Sequence, residues 1–115
     1  MDQDCLFCKI AAGEMDTDFV YQDDSMVAFK DINPMAPVHI LIVHRKHIPT
    51  INDLEKIDTA LVGNMVQTAK KIAYQENISQ DGYRLVFNCG KNGGQEINHI
   101  HLHLLGGRKM DWPAG

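Results

Sequence analysis

Cysteine is scarce, with three in 115 residues. So low and odd a count implies no disulfide framework and suits a reducing, cytoplasmic compartment. There is no basic stripe. Eleven Lys and Arg face fifteen Asp and Glu, a net charge of −4, so nucleic acid is disfavoured as a main partner. There is no long hydrophobic run either. Ile40-Leu41-Ile42-Val43 is the longest aliphatic stretch, a strand's worth and far short of a membrane span. Met1-Asp2-Gln3-Asp4 is acidic and lacks the apolar core of a signal peptide. Repeats and low-complexity tracts are missing. What is present is 44% hydrophobic and 23% charged residues, the composition of one globular domain spanning 1–115.

Hydrophobic periodicity sets out the elements. Leu6 to Ala12, closed by Gly13, reads as a short helix with Asp4 as a cap. Phe19-Val20-Tyr21-Gln22 and Met26-Val27-Ala28-Phe29-Lys30 flank the turn cluster Asp23-Asp24-Ser25, which predicts a hairpin. Pro34 and Pro37 make the next stretch a loop, and Val38 to Val43 is a buried strand. Leu54, Ile57, Leu61, Met65, Ala69 and Ile72 recur at helical steps. They predict one long helix capped by Asn52 or Asp53 and ending near Gln75 to Asn77. Asp81-Gly82 is a turn, Tyr83 to Asn88 a strand, Gly90 to Gly94 a glycine-rich loop, and His99 to Leu105 the last strand. Five strands, one long helix and a short N-terminal helix predict an α+β fold with a mainly antiparallel sheet.

Three of the six histidines alternate in His99-Ile100-His101-Leu102-His103-Leu104. On a strand, alternate residues share a face. The imidazoles then form a row and the aliphatic residues turn to the core. Such a row reads as a polar outer face, as a metal site, or as phosphate chemistry, in which neutral imidazole is a nucleophile and a neighbour donates. The preceding Asn92-Gly93-Gly94-Gln95 favours the third reading, because glycine lets the backbone approach an anion.

The segment Gly93-Gly94-Gln95-Glu96-Ile97-Asn98-His99-Ile100-His101-Leu102-His103-Leu104-Leu105-Gly106-Gly107-Arg108 resembles the signature of the histidine-triad nucleotide-binding proteins. Asp31-Ile32-Asn33-Pro34-Met35-Ala36-Pro37-Val38-His39 and Trp112-Pro113 resemble its purine nucleoside phosphoramidase branch. The resemblance runs from Leu6 to Gly115 and implies a five-stranded antiparallel sheet, a long helix and a two-fold homodimer. It implies that His101 is the nucleophile, forming a nucleotidyl-histidine that water releases as a purine nucleoside monophosphate, with no metal needed for catalysis. It also implies that His103 donates to the phosphate, aided by the Gly94 N–H, the Gln95 side chain and Asn88, while His39 orders the row. Asp31 is implied to accept from the ribose hydroxyls, or else is a turn residue. Leu6, Phe7, Ile10, Phe29, Ile32 and Leu41 are implied to form the purine slot, or else are ordinary core. Glu96 stands where some members carry a serine that assists the leaving amine.

Cys5-Leu6-Phe7-Cys8 reads as a redox pair, as inert thiols or as half of a zinc site. The redox reading lacks a thioredoxin-like βαβ context. The zinc reading needs two more ligands, for which His47 and His99 are candidates. The resemblance implies this four-residue set as a closed structural site. Cys89 and His44 have no role in this scheme. The functions compatible with these residues are a nucleoside phosphoramidase or acyl-nucleotide hydrolase, a dinucleoside polyphosphate hydrolase, and a nucleotide-binding interaction module.

Overall fold

In the computed structural model, residues 4–115 are described. Strands β1 (Phe19–Gln22), β2 (Met26–Lys30), β3 (Val38–His44), β4 (Tyr83–Val86) and β5 (His101–Gly106) form one sheet in the order β1-β2-β3-β5-β4. Every neighbouring pair is antiparallel. Helix α1 (Leu6–Ala11) covers one face and α2 (Thr59–Gln75) the other. Among the described residues, no helix is long and apolar enough to cross a membrane.

The period of two in the strands assigns side chains to these two faces. Met26, Ala28, Ile40, Ile42, Leu102 and Leu104 pack with Met65, Ala69, Ile72 and Ala73 of α2. Val27, Phe29, Leu41 and Val43 pack with Phe7, Cys8, Ile10 and Ala11 of α1. Each large aliphatic chain buried this way contributes about 1.5–3 kcal/mol. The register pairs Leu41 with His103 and Val43 with His101, which places both imidazoles on the α1 face. A six-residue helix leaves part of that face uncovered, and the open part is the site.

The turn between β1 and β2 is organised by Asp23, whose Oδ1 accepts from the Ser25 and Met26 N–H groups at 2.8 and 2.9 Å. Arg45, just after β3, donates to the carbonyls of Asp23 and Ala11 and so ties α1 to the hairpin.

Four expectations are corrected in detail. Helix α1 is capped by Cys5, not Asp4: the Cys5 sulfur accepts from Cys8 N at 3.3 Å. Helix α2 begins at Thr59, and Leu54 and Ile57 lie outside it in two short 3-10 turns, Ile51–Asp53 and Lys56–Asp58. Asp53 and Asp58 each bond back to the backbone N–H three residues earlier, at Thr50 and Glu55, which closes one turn at a time. Asp58 is also paired with Lys46 at 2.7 Å. Ile57 is 84% exposed, so the apolar spacing was accidental there. Strand β4 ends at Val86, not Asn88, and β5 runs from His101 to Gly106, leaving His99 ahead of it. The chain before β5 bends toward β3's exit, where Ile100 N donates to Ile48 O at 2.7 Å.

Candidate active site and metal centre

Backbone groups decide which nitrogen of His101 and His39 carries the proton, and His39 in turn decides it for His103. A carbonyl oxygen only accepts and an amide N–H only donates. The His101 Nδ1 lies 2.7 Å from the His99 carbonyl, so Nδ1 holds the hydrogen and Nε2 keeps its lone pair. Met35 N donates to His39 Nδ1 at 3.1 Å, so the His39 hydrogen sits on Nε2. That Nε2 is 2.9 Å from His103 Nδ1 and 3.4 Å from an Asp31 carboxylate oxygen. His103 therefore accepts at Nδ1 and carries its own hydrogen on Nε2. The row offers one nucleophilic lone pair, at His101, and one donor, at His103.

Electrostatics keep the row neutral. Burial pushes the His101 imidazole below its ordinary value, against the opposing pull of the His99 carbonyl. Burial also lowers His39, with Asp31 opposing. At His103, burial and then the neighbouring His101 and His39 push the value down to about 4.

The histidines open into a cleft of about 610 Å³. Leu6, Phe7, Ile10, Phe29, Ile32 and Leu41 line it, as do Asp31, His39, Asn88, Gly94, Glu96, His101 and His103. Phe7 meets His101 edge-on with ring centres 5.0 Å apart and meets Phe29 at 5.8 Å. Leu41 and Ile10 are both core and wall, being buried and cleft-lining at once. Ile32 is 92% exposed and forms a rim. Asp31 Oδ1 accepts from Asn33 N at 2.8 Å, so Asp31 is a turn residue as well as a cleft residue.

Gln95 is a correction, for it does not line the cleft. Its Nε2 donates to Pro49 O at 2.7 Å and to Ile97 O at 3.0 Å, and its Oε1 accepts from Gly90 N at 3.0 Å. Both ends of the amide are consumed in shaping the glycine loop. The Gly94 N–H is likewise turned inward, to Lys91 O at 3.1 Å, and Asn88 Nδ2 donates to Gly93 O at 2.7 Å. Lys30, Asn33, Met35 and Ile97 line the cleft and were not expected. Met35 acts through its backbone N–H, which no side-chain pattern reveals.

Behind the row lies a second cluster. His99, fully buried, has its Nε2 2.7 Å from the His44 carbonyl, which fixes the hydrogen there. Its Nδ1 lone pair meets Cys5 Sγ at 3.2 Å, Cys8 Sγ at 3.4 Å and His47 Nδ1 at 3.2 Å. The four ligand atoms of Cys5, Cys8, His47 and His99 lie within 4.8 Å of one another. Tetrahedral zinc with two sulfur and two nitrogen ligands has edges of roughly 3.3–3.8 Å. The residues present fit that ion, with no position left open. His44, which had no assigned role, serves the cluster through its carbonyl.

A protein that presents neutral imidazoles to an apolar cleft, backed by a cysteine–histidine cluster, is the class defined by this sheet. The HIT domain family model matches residues 12–110, and the chain belongs to that family. A purine nucleoside phosphoramidase of Escherichia coli (strain K12) is 50% identical over 110 residues, covering 96% of this chain and 92% of that protein. The crystal structure of a HIT family hydrolase from Legionella pneumophila Philadelphia 1 superposes with a TM-score of 0.96 at 55% identity, over 97% of this chain and 100% of that one. A zinc-bound histidine triad family protein from Mycobacterium smegmatis is similar at a TM-score of 0.78 and 27% identity, over 95% of this chain and 78% of that one. Cys5 and Cys8 precede the matched range.

Proposed function

We propose that this chain is a single-domain purine nucleotide hydrolase that cleaves nucleoside phosphoramidates or acyl-nucleotides to the monophosphate. The observation that carries this reading is the 2.7 Å contact from His101 Nδ1 to the His99 carbonyl, which leaves Nε2 as a lone pair beside a donor histidine. The relationship to the E. coli phosphoramidase supports the substrate class.

In this reading the purine lies among Phe7, Ile10 and Phe29, and the free lone pairs of Asp31 accept from the ribose. His101 Nε2 bonds to the α-phosphorus while the P–N bond breaks. Its electron pair goes to the amine, which takes a proton from water. The histidine then carries a positive charge, and the His99 carbonyl facing its Nδ1–H stabilises that charge. His103 is neutral at pH 7 and keeps its proton. It donates a hydrogen bond from Nε2 to a phosphoryl oxygen, and the His39 Nε2–H holds it in that orientation. Water attacks phosphorus, loses a proton to solvent, and the P–N pair returns to His101 Nε2. Because the departing imidazole is cationic until the bond breaks, one hard displacement becomes two easier ones. Cys5, Cys8, His47 and His99 would hold structural zinc, which when bound would fix α1 to the strand-end segment and leave the reaction to the histidine row. Three cysteines in 115 residues accord with a cytoplasmic setting.

Turnover of a fluorogenic adenosine phosphoramidate, measured beside AMP affinity, tests this reading. Catalytic turnover and an alkali-stable nucleotidyl adduct on the peptide containing His101 are expected. AMP binding with no turnover would instead identify a nucleotide-binding interaction module.

A further inference from the structure

The strand that carries the histidines does not stop at them. After the last ladder pair, Val38 with Gly106, the chain turns at Gly107, whose φ is +89°. A Cβ added to Gly107 would lie 2.9 Å from Pro37 Cβ. Only glycine gives both the left-handed backbone and this close crossing over the Pro34 to Pro37 loop. The crossing delivers the Arg108 guanidinium to the Met35 carbonyl, with Nη2 at 2.9 Å and Nε at 3.2 Å. Met35 is the residue whose N–H donates to His39 Nδ1 at 3.1 Å.

We infer that Arg108 is a positioning residue that sets the proton arrangement of the histidine row through Met35. This rests on the hydrolase reading above. The Met35 side chain is 66% exposed, so burial does little to hold it. Its loop contains two prolines, which lack N–H groups for a ladder. A charge-assisted contact from two guanidinium nitrogens to one carbonyl restrains the Met35–Ala36 peptide, and through the Met35 Cα it restrains the adjoining Pro34–Met35 peptide that carries the N–H. With the Met35 N–H in place, His39 is locked as the Nε2–H tautomer, and His103 must present its own Nε2–H to the cleft. With Met35 released, only the Asp31 carboxylate, 3.4 Å from Nε2, still favours the hydrogen there, and His39 gains access to the tautomer with its hydrogen on Nδ1. Its Nε2 then accepts, His103 donates back through Nδ1, and the face of His103 turned to the phosphate becomes a lone pair. Two lone pairs would face an anion where one donor is needed. Arg108 is not among the residues lining the cleft, so its effect on ground-state nucleotide binding is small.

The test compares Arg108→Met and Arg108→Lys with the unmodified full chain. Two-bond proton–nitrogen spectra of ¹⁵N-histidine-labelled protein report each tautomer directly. The unmodified chain should show His39 and His103 as Nε2–H and His101 as Nδ1–H. In Arg108→Met, His39 and His103 should shift to mixed tautomers while His101, held by the His99 carbonyl, stays unchanged and confirms the fold. kcat for the phosphoramidate should fall about ten- to a hundredfold with AMP affinity within about twofold. Arg108→Lys, which keeps a charged donor, should recover part of both. Unaltered His39 and His103 tautomers in Arg108→Met would overturn the inference, as would parallel losses of AMP affinity and kcat, which mean direct phosphate binding. If the unmodified chain fails to turn over the phosphoramidate, the hydrolase reading fails, and the tautomer spectra still decide the role of Arg108.

Discussion

At the residue scale, the clustered histidines share one chemical identity and differ in the partner each one meets, a backbone group for His39, His99 and His101 and the His39 ring for His103. Replacing His101 by Ala should abolish turnover, by at least about 10³-fold in kcat, with AMP affinity largely kept, since the nucleophile forms its bond only along the reaction. Steady-state kinetics beside AMP titration calorimetry checks this. The same change should cost about 1–3 kcal/mol of stability by denaturant unfolding, because it leaves the buried His99 carbonyl without its partner. A second expectation concerns pH. Folding lowers His103 from 6.5 to about 4 and lowers His39 as well. Between those values the unfolded chain binds protons that the folded chain refuses. Stability is therefore fully present above about pH 6.5 and declines as pH falls toward 4. Unfolding midpoints measured across that window should show the decline, and His103→Asn should flatten it. A midpoint independent of pH in this window would mean that the row is not held neutral by burial.

At the element scale, the strands were legible and the connections were not. The period of two in His101 to Leu104 identified a histidine face because core packing permits no other way to bury Leu102 and Leu104, whereas His99 lies ahead of the strand. The same logic failed before α2. Leu54 and Ile57 keep the helical spacing, yet two aspartates capture nearby backbone N–H groups and close separate turns, a local competition that spacing cannot register. Gln95 was misread for a related reason: its partners are carbonyls of Pro49 and Ile97, and backbone groups leave no trace in side-chain patterns. The C-x2-C pair was legible as half of a site, and α1 brings it to the segment ahead of β5. The protein should carry about one zinc per chain when purified without a metal-affinity tag, by elemental analysis. Chelation should lower the melting temperature, because an ion held by the cluster would join α1, the segment after β3 and His99. Occupancy should fall at acid pH as the thiolates protonate. Negligible zinc together with a chelator-insensitive melting temperature would return Cys5 and Cys8 to ordinary buried thiols.

At the scale of the whole molecule, the two faces of the sheet divide the labour, with α2 covering the aliphatic side and the short α1 leaving the histidine side open. That division leaves the outer surface of α2 and the edge strand β4 without a cover. Val66 and Tyr74 on α2 are 40% and 76% exposed. Strand β4 pairs with β5 on one side only, so its other edge presents backbone donors and acceptors. A two-fold axis beside β4 would meet both needs at once, pairing two edges and burying two helix surfaces against each other. In such an isologous contact each residue counts twice. Val66 is only 40% exposed, so its further burial contributes about 0.6 kcal/mol, and its two copies about 1.2 kcal/mol, or somewhat under tenfold in the dissociation constant. Sedimentation at micromolar concentration should therefore give twice the chain mass. Val66→Lys should shift the dissociation midpoint by at least about tenfold, because it places two like charges in the contact as well. The tautomer spectrum of His101 should survive in the variant, since its partner carbonyl lies within the same chain. A chain-mass species for the unmodified protein would place the edge of β4 in solvent and leave the monomer as the working unit.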